Sequence, residues 1–181
     1  MRKAATSREG TIPLLAEAFR DHGYEGASMA VLESATGLGR GSLYNFFPGG
    51  KEAMAEAVLD DVDRWFHERI FAPLRDGTSG GVESMFDEVD SYFHSGQRVC
   101  LQGMFAIGRE RDRFAVAIRR YFGQWIESLT AALQESGLSD SRDRAVRVVA
   151  AVQGGLVIAR ALDSPDVFTL VLAGARRDAG C

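Results

Sequence analysis

Apolar residues recur every three or four positions along most of this chain, which is the spacing of one buried face of an α-helix. Runs with the strict alternation of a half-buried β-strand are few. The helices that this pattern predicts lie at about 11–22, 29–36, 40–47, 51–70, 82–95, 101–108, 113–136, 139–162 and 165–176. The chain is therefore predicted to be all-α, with about nine helices.

Breaker and capping residues mark several of these helix ends. Gly23 is predicted to end the first helix as a left-handed cap, and Ser28 to cap the second at its N-terminus. Pro73 is predicted to stop the fourth helix. Because Pro13 has no backbone N–H, the first helix either begins near Thr11 or is kinked there. The first three or four helices would form a small domain, and the others a larger bundle.

Composition narrows the class of protein. The 181 residues are 46% hydrophobic, which is enough for a sizeable core, and the net charge is −4. With no global basic excess, non-specific coating of nucleic acid is disfavoured, although a local basic face is compatible with this charge. The polar N-terminus has no signal-peptide pattern, and the apolar run 148–162 is interrupted by Gln153 and Arg160. We therefore expect a cytoplasmic protein with no membrane partner.

Candidate catalytic and metal-binding chemistry is sparse. The sequence has no P-loop and no dinucleotide-binding glycine pattern after a strand. The spacing of the residues around the three histidines does not indicate a metal site. We expect no enzyme, no cofactor and no metal. Cys100 and Cys181 are interpreted as two free thiols of a reducing compartment, with a redox switch as the alternative.

One segment has the form of a helix-turn-helix. Residues 28–47 hold two short predicted helices joined by the glycine-containing connection 37–39, and the second helix of such a motif enters the DNA major groove. The string GLGRGSLYNFFPGGKE at 37–52, preceded by HGY at 22–24 and by Ser28, strongly resembles the DNA-binding domain of the TetR family of repressors. The resemblance covers about residues 8–60, and beyond it only helix number and length are similar.

This resemblance implies which residues read base pairs. Arg40, at the start of the recognition helix, suits a bidentate contact with guanine O6 and N7. Gly41 has no side chain, so the backbone can approach the groove closely. The hydroxyl of Ser42 can bond a base edge or a phosphate.

The same resemblance implies contacts to the DNA backbone. Tyr44 and Asn45 stand where the family has an aromatic and a polar residue on the phosphates. Lys51 opens the fourth helix, whose N-terminal dipole favours phosphate. Ser28 caps the bracing helix and can also bond a phosphate. The DNA-binding residues predicted are thus Ser28, Arg40, Gly41, Ser42, Tyr44, Asn45 and Lys51.

Three positions depart from the family pattern. Gly39 replaces the usual Ser or Thr, so a side-chain cap of the recognition helix is lost. Gly49 and Gly50 make the following loop one residue longer than usual, which alters the reach of Lys51. Glu33 stands where a small residue is common and is expected to point to solvent.

The resemblance also implies two domains: 1–55, which binds DNA, and 56–181, which binds an inducer and dimerises. Apolar, aromatic and Met side chains of the second part are either plain core or the lining of a pocket for an apolar ligand. Gln153 is either satisfied internally or available to that ligand. The candidate effector-binding residues are Met85, Phe86, Phe93, Met104, Phe105, Phe122, Trp125 and Gln153.

A homodimer is expected to form through the last two long helices. Apolar residues there cover more than one stripe, so one stripe can face the core and another a partner: Val148, Val149, Val152, Leu156, Ile158 and Ala159. The sequence thus predicts a regulator, most simply a repressor, that binds a palindromic operator as a homodimer and is released by an apolar small molecule. The alternatives are a ligand-independent DNA-binding regulator, an activator, and a helical enzyme.

Overall fold

All regular structure in residues 7–77 and 80–181, the ranges described by this computed structural model, is helical. The α-helices are α1 (Arg8–Gly26), α2 (Met29–Thr36), α3 (Arg40–Phe46), α4 (Gly50–Phe66), α5 (Ala72–Arg75), α6 (Gly81–Tyr92), α7 (Leu101–Ile107), α8 (Ala115–Glu135), α9 (Ser141–Ala161) and α10 (Pro165–Asp178). A π-helical turn, His67–Phe71, joins α4 to α5 without a break. When α4, the π-helical turn and α5 are counted as one continuous helix, the described residues form nine helices, which confirms the all-α prediction.

Helix α1 begins earlier than the sequence pattern predicted. The Ser7 side chain accepts a hydrogen bond from Gly10 N at 3.1 Å and caps the helix, so Pro13 lies inside it rather than in its first turn. Gly23 interrupts the helix with φ 68° and ψ 172°, but it is not the left-handed cap that was predicted, because the helix resumes and ends at Gly26. This backbone region is accessible essentially only to glycine, so a larger residue there would be strained.

Helices α2 and α3 form the predicted helix-turn-helix. Ser28 caps α2 by accepting a hydrogen bond from Val31 N at 3.3 Å, and Gly37, in the left-handed region, ends it. Leu32 and Leu43 are fully buried, one from each helix. Because these two leucines pack inward, the opposite side of α3 is left for solvent.

The prediction that Pro73 stops the fourth helix is wrong. The continuous helix extends to Arg75, and the chain changes its hydrogen-bond register before the proline. In the π-helical turn, the N–H of Ala72 donates to the carbonyl of His67, five residues back. Single-turn π-helical segments of this kind occur inside longer α-helices, and they are, like prolines, sites where helices bend.

The chain forms two compact units. Among the described residues, the first contains 7–63 together with Leu101–Ile118, and the second contains 64–77, 80–100 and Arg119–Cys181. The boundary predicted between residues 55 and 56 separates a DNA-binding part from an effector-binding and dimerisation part. The division into compact units does not test this assignment of function, which stays a prediction.

Aromatic rings fill the core of the first unit beside the helix-turn-helix. Tyr24 of α1 lies 5.9 Å from Phe105 of α7 and 5.1 Å from Phe114, measured between ring centroids. Phe19 lies 6.1 Å from Phe105, edge to face. Aromatic pairs at these distances stabilise a core beyond their buried area. Helix α7 therefore packs with the helix-turn-helix unit, which the sequence pattern did not indicate.

In the second unit, Phe66 packs against Tyr92, Tyr121 and Trp125 at centroid distances of 4.8, 4.9 and 5.3 Å. Helices α9 and α10 approach closely at Gly155, where an added Cβ would lie 3.1 Å from Val171. Of the α9 residues predicted to cover two stripes, only Ile158 is exposed; those buried within the chain are Val148, Val149, Val152, Leu156 and Ala159. None of the helices in the described ranges is long and apolar enough to span a membrane.

Candidate nucleic-acid interface

One side of α3 carries the predicted DNA-reading residues. Leu43 is completely buried, and it anchors the helix to the core of the first unit. The residues that flank it in sequence are exposed to solvent: Arg40, Gly41, Ser42, Tyr44 and Asn45. The short helix thus presents a continuous polar surface of the width that a major groove accepts. Ser28, the cap of α2, is exposed as well.

Arg40 is held by Glu33. Its Nε donates to Glu33 Oε1 at 2.8 Å, across the turn between α3 and α2. The expectation that Glu33 points to solvent is therefore wrong, because only 29% of its side chain is exposed. The hydrogen bond and the charge of this carboxylate raise the pKa of Arg40 above its usual range. Sequence spacing gave no sign of this pair, since the turn geometry creates it.

The start of α3 is open on its outer side. Gly39 occupies the N-cap position and supplies no side-chain hydrogen bond, as the sequence indicated. A Cβ added to Gly39 or to Gly41 would meet no atom within 4 Å. A side chain at either position would therefore face open space, next to the first-turn backbone N–H groups that have no partners within the helix.

The two glycines after α3 form a tight turn. Gly50 N donates to Phe47 O at 2.8 Å, and Gly50 has a φ of 66°. The ring of Tyr44 lies against Gly50, because an added Cβ would be 3.3 Å from Tyr44 Cε1. The extra loop residue is therefore absorbed in a turn that also supports an exposed aromatic side chain.

Lys51 lies in the first turn of α4 but points back into its own unit. Its Nζ donates to the carbonyl oxygen of Tyr24 at 3.0 Å and stands 4.4 Å from the centroid of the Tyr24 ring. The residue is half-buried. To reach a phosphate, this ammonium would have to leave a carbonyl and an aromatic face, both of which attract a cation.

Tyr24 also contacts a second cation. Arg113 NH1 forms an ion pair with Glu52 Oε2 at 2.6 Å, and the guanidinium carbon lies 5.7 Å from the Tyr24 ring centroid. Burial raises the pKa of Tyr24, so the phenol remains protonated near neutral pH. Tyr24 and Glu52 lie in the strings that carry the family resemblance, but the sequence did not indicate their contact with Arg113, which comes from a distant part of the chain.

The predicted effector-binding residues are divided between the two units. Phe105 is buried in the aromatic cluster of the first unit, and Met104, which is half-buried, belongs to the same unit. In the second unit, Trp125 Nε1 lies 3.5 Å from Met85 Sδ, both fully buried. Phe86 and Phe93 are also fully buried, and Phe122 and Gln153 are half-buried. Whether these residues bind an effector stays a prediction.

Several polar atoms of the second unit are buried without a hydrogen-bond partner among the described residues. They include Gln153 Nε2 on α9 and, on α8, Ser128 Oγ and Gln124 Oε1. Each such atom costs about 1–3 kcal/mol relative to a satisfied one. Gln153 was singled out by its polarity within an apolar helix. Ser128 and Gln124 were missed, because polar residues on a long amphipathic helix are expected to face solvent.

Neither cysteine forms a disulfide; Cys100 is buried and Cys181 is exposed. Partial burial, with Glu83 nearby, raises the pKa of the Cys181 thiol, whereas redox-reactive cysteines have a lowered pKa.

Comparison with protein families matches both parts of the chain. Residues 15–58 match the family model described as "Bacterial regulatory proteins, tetR family". Residues 80–173, more than half of the chain, match the model "Transcriptional regulator LmrA/YxaF-like, C-terminal domain".

Individual relatives agree with these matches. The HTH-type transcriptional regulator LmrA of Bacillus subtilis is 23% identical over 163 residues, which are 84% of this chain and 85% of LmrA. Reduced NemR of E. coli has the same fold, with a TM-score of 0.77 at 17% identity, covering 94% of this chain and 95% of that one. The regulator CifR, as a cysteine mutant with 26-bp operator DNA, gives a TM-score of 0.72 at 24% identity, covering 99% of each chain.

Proposed function

The chain belongs to the TetR family of transcriptional regulators and is a DNA-binding protein rather than an enzyme, and on that premise we propose that it is a repressor of a palindromic operator. In this proposal it binds the operator as a homodimer and is released by an apolar small molecule. The observation that carries the proposal is the exposed row of residues on α3, held over the buried Leu43. A regulator of transcription acts where the chromosome lies, so we assign it to the cytoplasm.

The reading of DNA divides among these residues by chemistry. Arg40 faces a guanine, because its fork of N–H donors matches O6 and N7. Gly41 and Ser42 allow close approach of the backbone and one short hydrogen bond. Tyr44, Asn45, Lys51 and Ser28 contact phosphates and set the register of the helix in the groove. With one long base-reading side chain, specificity also depends on the shape of the DNA.

A second copy of the chain is the proposed partner of α9 and α10. Val157 and Ile158 on α9 are 64% and 48% exposed, and Leu170 on α10 is 70% exposed. Apolar side chains at such exposure on neighbouring helices favour a contact that covers them. A twofold axis places the same surface on both copies, and it matches the symmetry of a palindrome with recognition helices about 34–36 Å apart.

The proposed effector binds in the larger part of the chain. Buried polar atoms without partners, Gln153 Nε2 and Ser128 Oγ, support this assignment, since a ligand that bonds them recovers their cost of burial. Met85 and Trp125 supply apolar, adaptable walls. The effector releases DNA only as far as it binds one conformation of the dimer better than the other. Helix α4 is the proposed moving element, because its first turn, which contains Lys51, belongs to the first unit and its last residue, Phe66, to the second.

The test is a selection of duplexes from a random-sequence library by the purified full-length chain, repeated with apolar candidate effectors. We expect one enriched palindrome, and lower recovery of it with the true effector. Enrichment of no sequence would contradict the proposed function.

A ligand-independent regulator is the second candidate. The complete burial of Met85, Phe86, Phe93 and Trp125 favours it, because a filled core has no room for a ligand. An enriched palindrome whose recovery and thermal stability respond to no apolar compound would establish this candidate instead.

A further inference from the structure

The ion pair between Glu33 and Arg40 lies at the edge of the surface proposed to read DNA. Glu33 is on α2, which braces the motif, and Arg40 is the first residue of α3. The Glu33 side chain is half-buried, with 29% exposed, whereas 61% of the Arg40 side chain is exposed. A half-buried carboxylate thus holds one edge of a more exposed guanidinium.

The edge that Glu33 occupies is the one that guanine recognition does not need. Glu33 Oε1 accepts from Nε at 2.8 Å. A guanidinium is planar and carries five N–H donors, and its two terminal nitrogens form the fork that matches guanine O6 and N7. Fixing Nε therefore sets the plane and direction of the fork and leaves the fork itself available.

Besides Glu33, the residue that acts on the Arg40 guanidinium is Tyr44, one turn further along α3. Positions 39 and 41 are glycines, which have no side chains to pack against Arg40. In the described part of the chain, Glu33 is the residue that Arg40 contacts by hydrogen bond. A long side chain with four rotatable bonds loses rotamer entropy when it is ordered on a partner. This loss weakens binding unless the side chain is already ordered before the partner binds.

We propose that Glu33 is a positioning residue that orients Arg40 for guanine and so determines specificity at that base pair. The inference rests on the proposed DNA-binding function. Glu33 itself contacts no DNA; its carboxylate acts through the guanidinium. Without it, Arg40 samples phosphates and other bases as well, and the preference for one base pair falls while overall affinity changes little.

A carboxylate near DNA has a second, simpler effect, which is repulsion from phosphates. Repulsion acts on every sequence alike, and it depends on the charge and not on the length of the side chain. Glu33→Asp separates the two effects: it keeps the charge but shortens the side chain by one methylene, which withdraws the carboxylate from Nε. Glu33→Gln removes the charge and leaves a neutral amide oxygen, which is a weaker acceptor for Nε and holds the guanidinium less firmly.

The experiment measures dissociation constants of full-length variants for the selected duplex, for a duplex with the guanine replaced, and for random DNA. In Glu33→Asp and Glu33→Gln, we expect the discrimination between the first two duplexes, measured as the ratio of the second dissociation constant to the first, to fall about three- to tenfold. This is the effect on binding expected when one such side chain is no longer ordered in advance. Glu56→Gln is the matched control, because Glu56 is exposed on α4 and the substitution makes the same change of charge.

A double-mutant cycle completes the test. In an Arg40→Ala background, Glu33→Gln should leave discrimination unchanged, since the guanidinium it positions is gone. Unchanged discrimination in both single Glu33 variants would overturn the proposal, and so would a rise in affinity that is equal for all three duplexes. If the wild type enriches no sequence, it is the proposed function that fails, and the selection reports this before any variant is made. Thermal melting checks that each variant is folded.

Discussion

The ammonium of Lys51 is bound by Tyr24, with Nζ 3.0 Å from the carbonyl oxygen and 4.4 Å from the ring centroid. The same tyrosine ring packs against Phe105 of α7 at 5.9 Å. One residue therefore contacts both the cation proposed to reach DNA and the helix that completes the core of the first unit. A phosphate would have to compete with Tyr24 for Lys51, so a shift of this tyrosine would alter how readily the ammonium is released.

Lys51→Ala tests whether this ammonium reaches phosphate in the complex. If it does, one counterion fewer is released, and the slope of log K against log salt concentration becomes shallower by about 0.9. Fluorescence anisotropy of a labelled selected duplex over a salt series measures the slope. Lys51→Arg, which retains a charge, should keep the wild-type slope. An unchanged slope in Lys51→Ala would show that the ammonium stays on Tyr24 and is a structural group.

Arg40→Ala should weaken binding to the selected duplex by about 1–3 kcal/mol and relax the preference at one base position. The reason is the loss of a bidentate contact to guanine, and each such contact discriminates against other bases. Repeating the selection with the variant gives the base preference at every position. A uniform loss of affinity across all sequences would identify Arg40 as a phosphate contact instead.

Local sequence signals predicted the helix-turn-helix of α2 and α3 well, for physical reasons. The Ser28 cap and the break at Gly23 depend on neighbouring residues, so they can be recognised in a single sequence. Glu33 was placed in solvent because spacing along one helix does not describe a turn that brings α2 and α3 together.

Contacts between distant segments were not predictable in this way. The periodicity of α7 showed that it has a buried face but not that Phe105 would meet Tyr24 in the first unit. Likewise, the apolar residues of α9 suggested two stripes, yet only Ile158 among those named is exposed. Helical spacing identifies a buried face, and the partner of that face is decided by tertiary packing.

Gly41→Ala should raise stability and lower DNA affinity at the same time. A methyl group there meets no atom within 4 Å, and alanine favours a helix by about 0.5–1 kcal/mol over glycine. The same methyl group would stand between the backbone and the groove, so binding should weaken. Thermal melting and anisotropy measure the two effects.

Gly123→Ala is the control for that pair of measurements. Gly123 lies within α8 and is equally open, so its substitution should raise the melting temperature without a change in DNA binding. Full affinity in Gly41→Ala would mean that the backbone of α3 does not approach the DNA closely.

Val157→Glu should convert the proposed dimer into monomers. The valine is 64% exposed in the single chain, so the charge is tolerated there, but in a twofold contact two carboxylates would be buried close to each other. Sedimentation velocity should show a halved mass. Affinity for the palindrome should fall about 10²- to 10⁴-fold, toward that of one half-site, because the second recognition helix is no longer tethered to the first.

Val116→Glu is the matched variant, since Val116 is 80% exposed on α8 and belongs to the first unit. It should remain dimeric and bind the palindrome as the wild type does. If Val157→Glu also remains dimeric, the exposed face of α9 is not the contact between copies. If instead it is monomeric but keeps full affinity for the palindrome, the two half-sites are bound independently. The symmetry of the operator would then not depend on the symmetry of the protein.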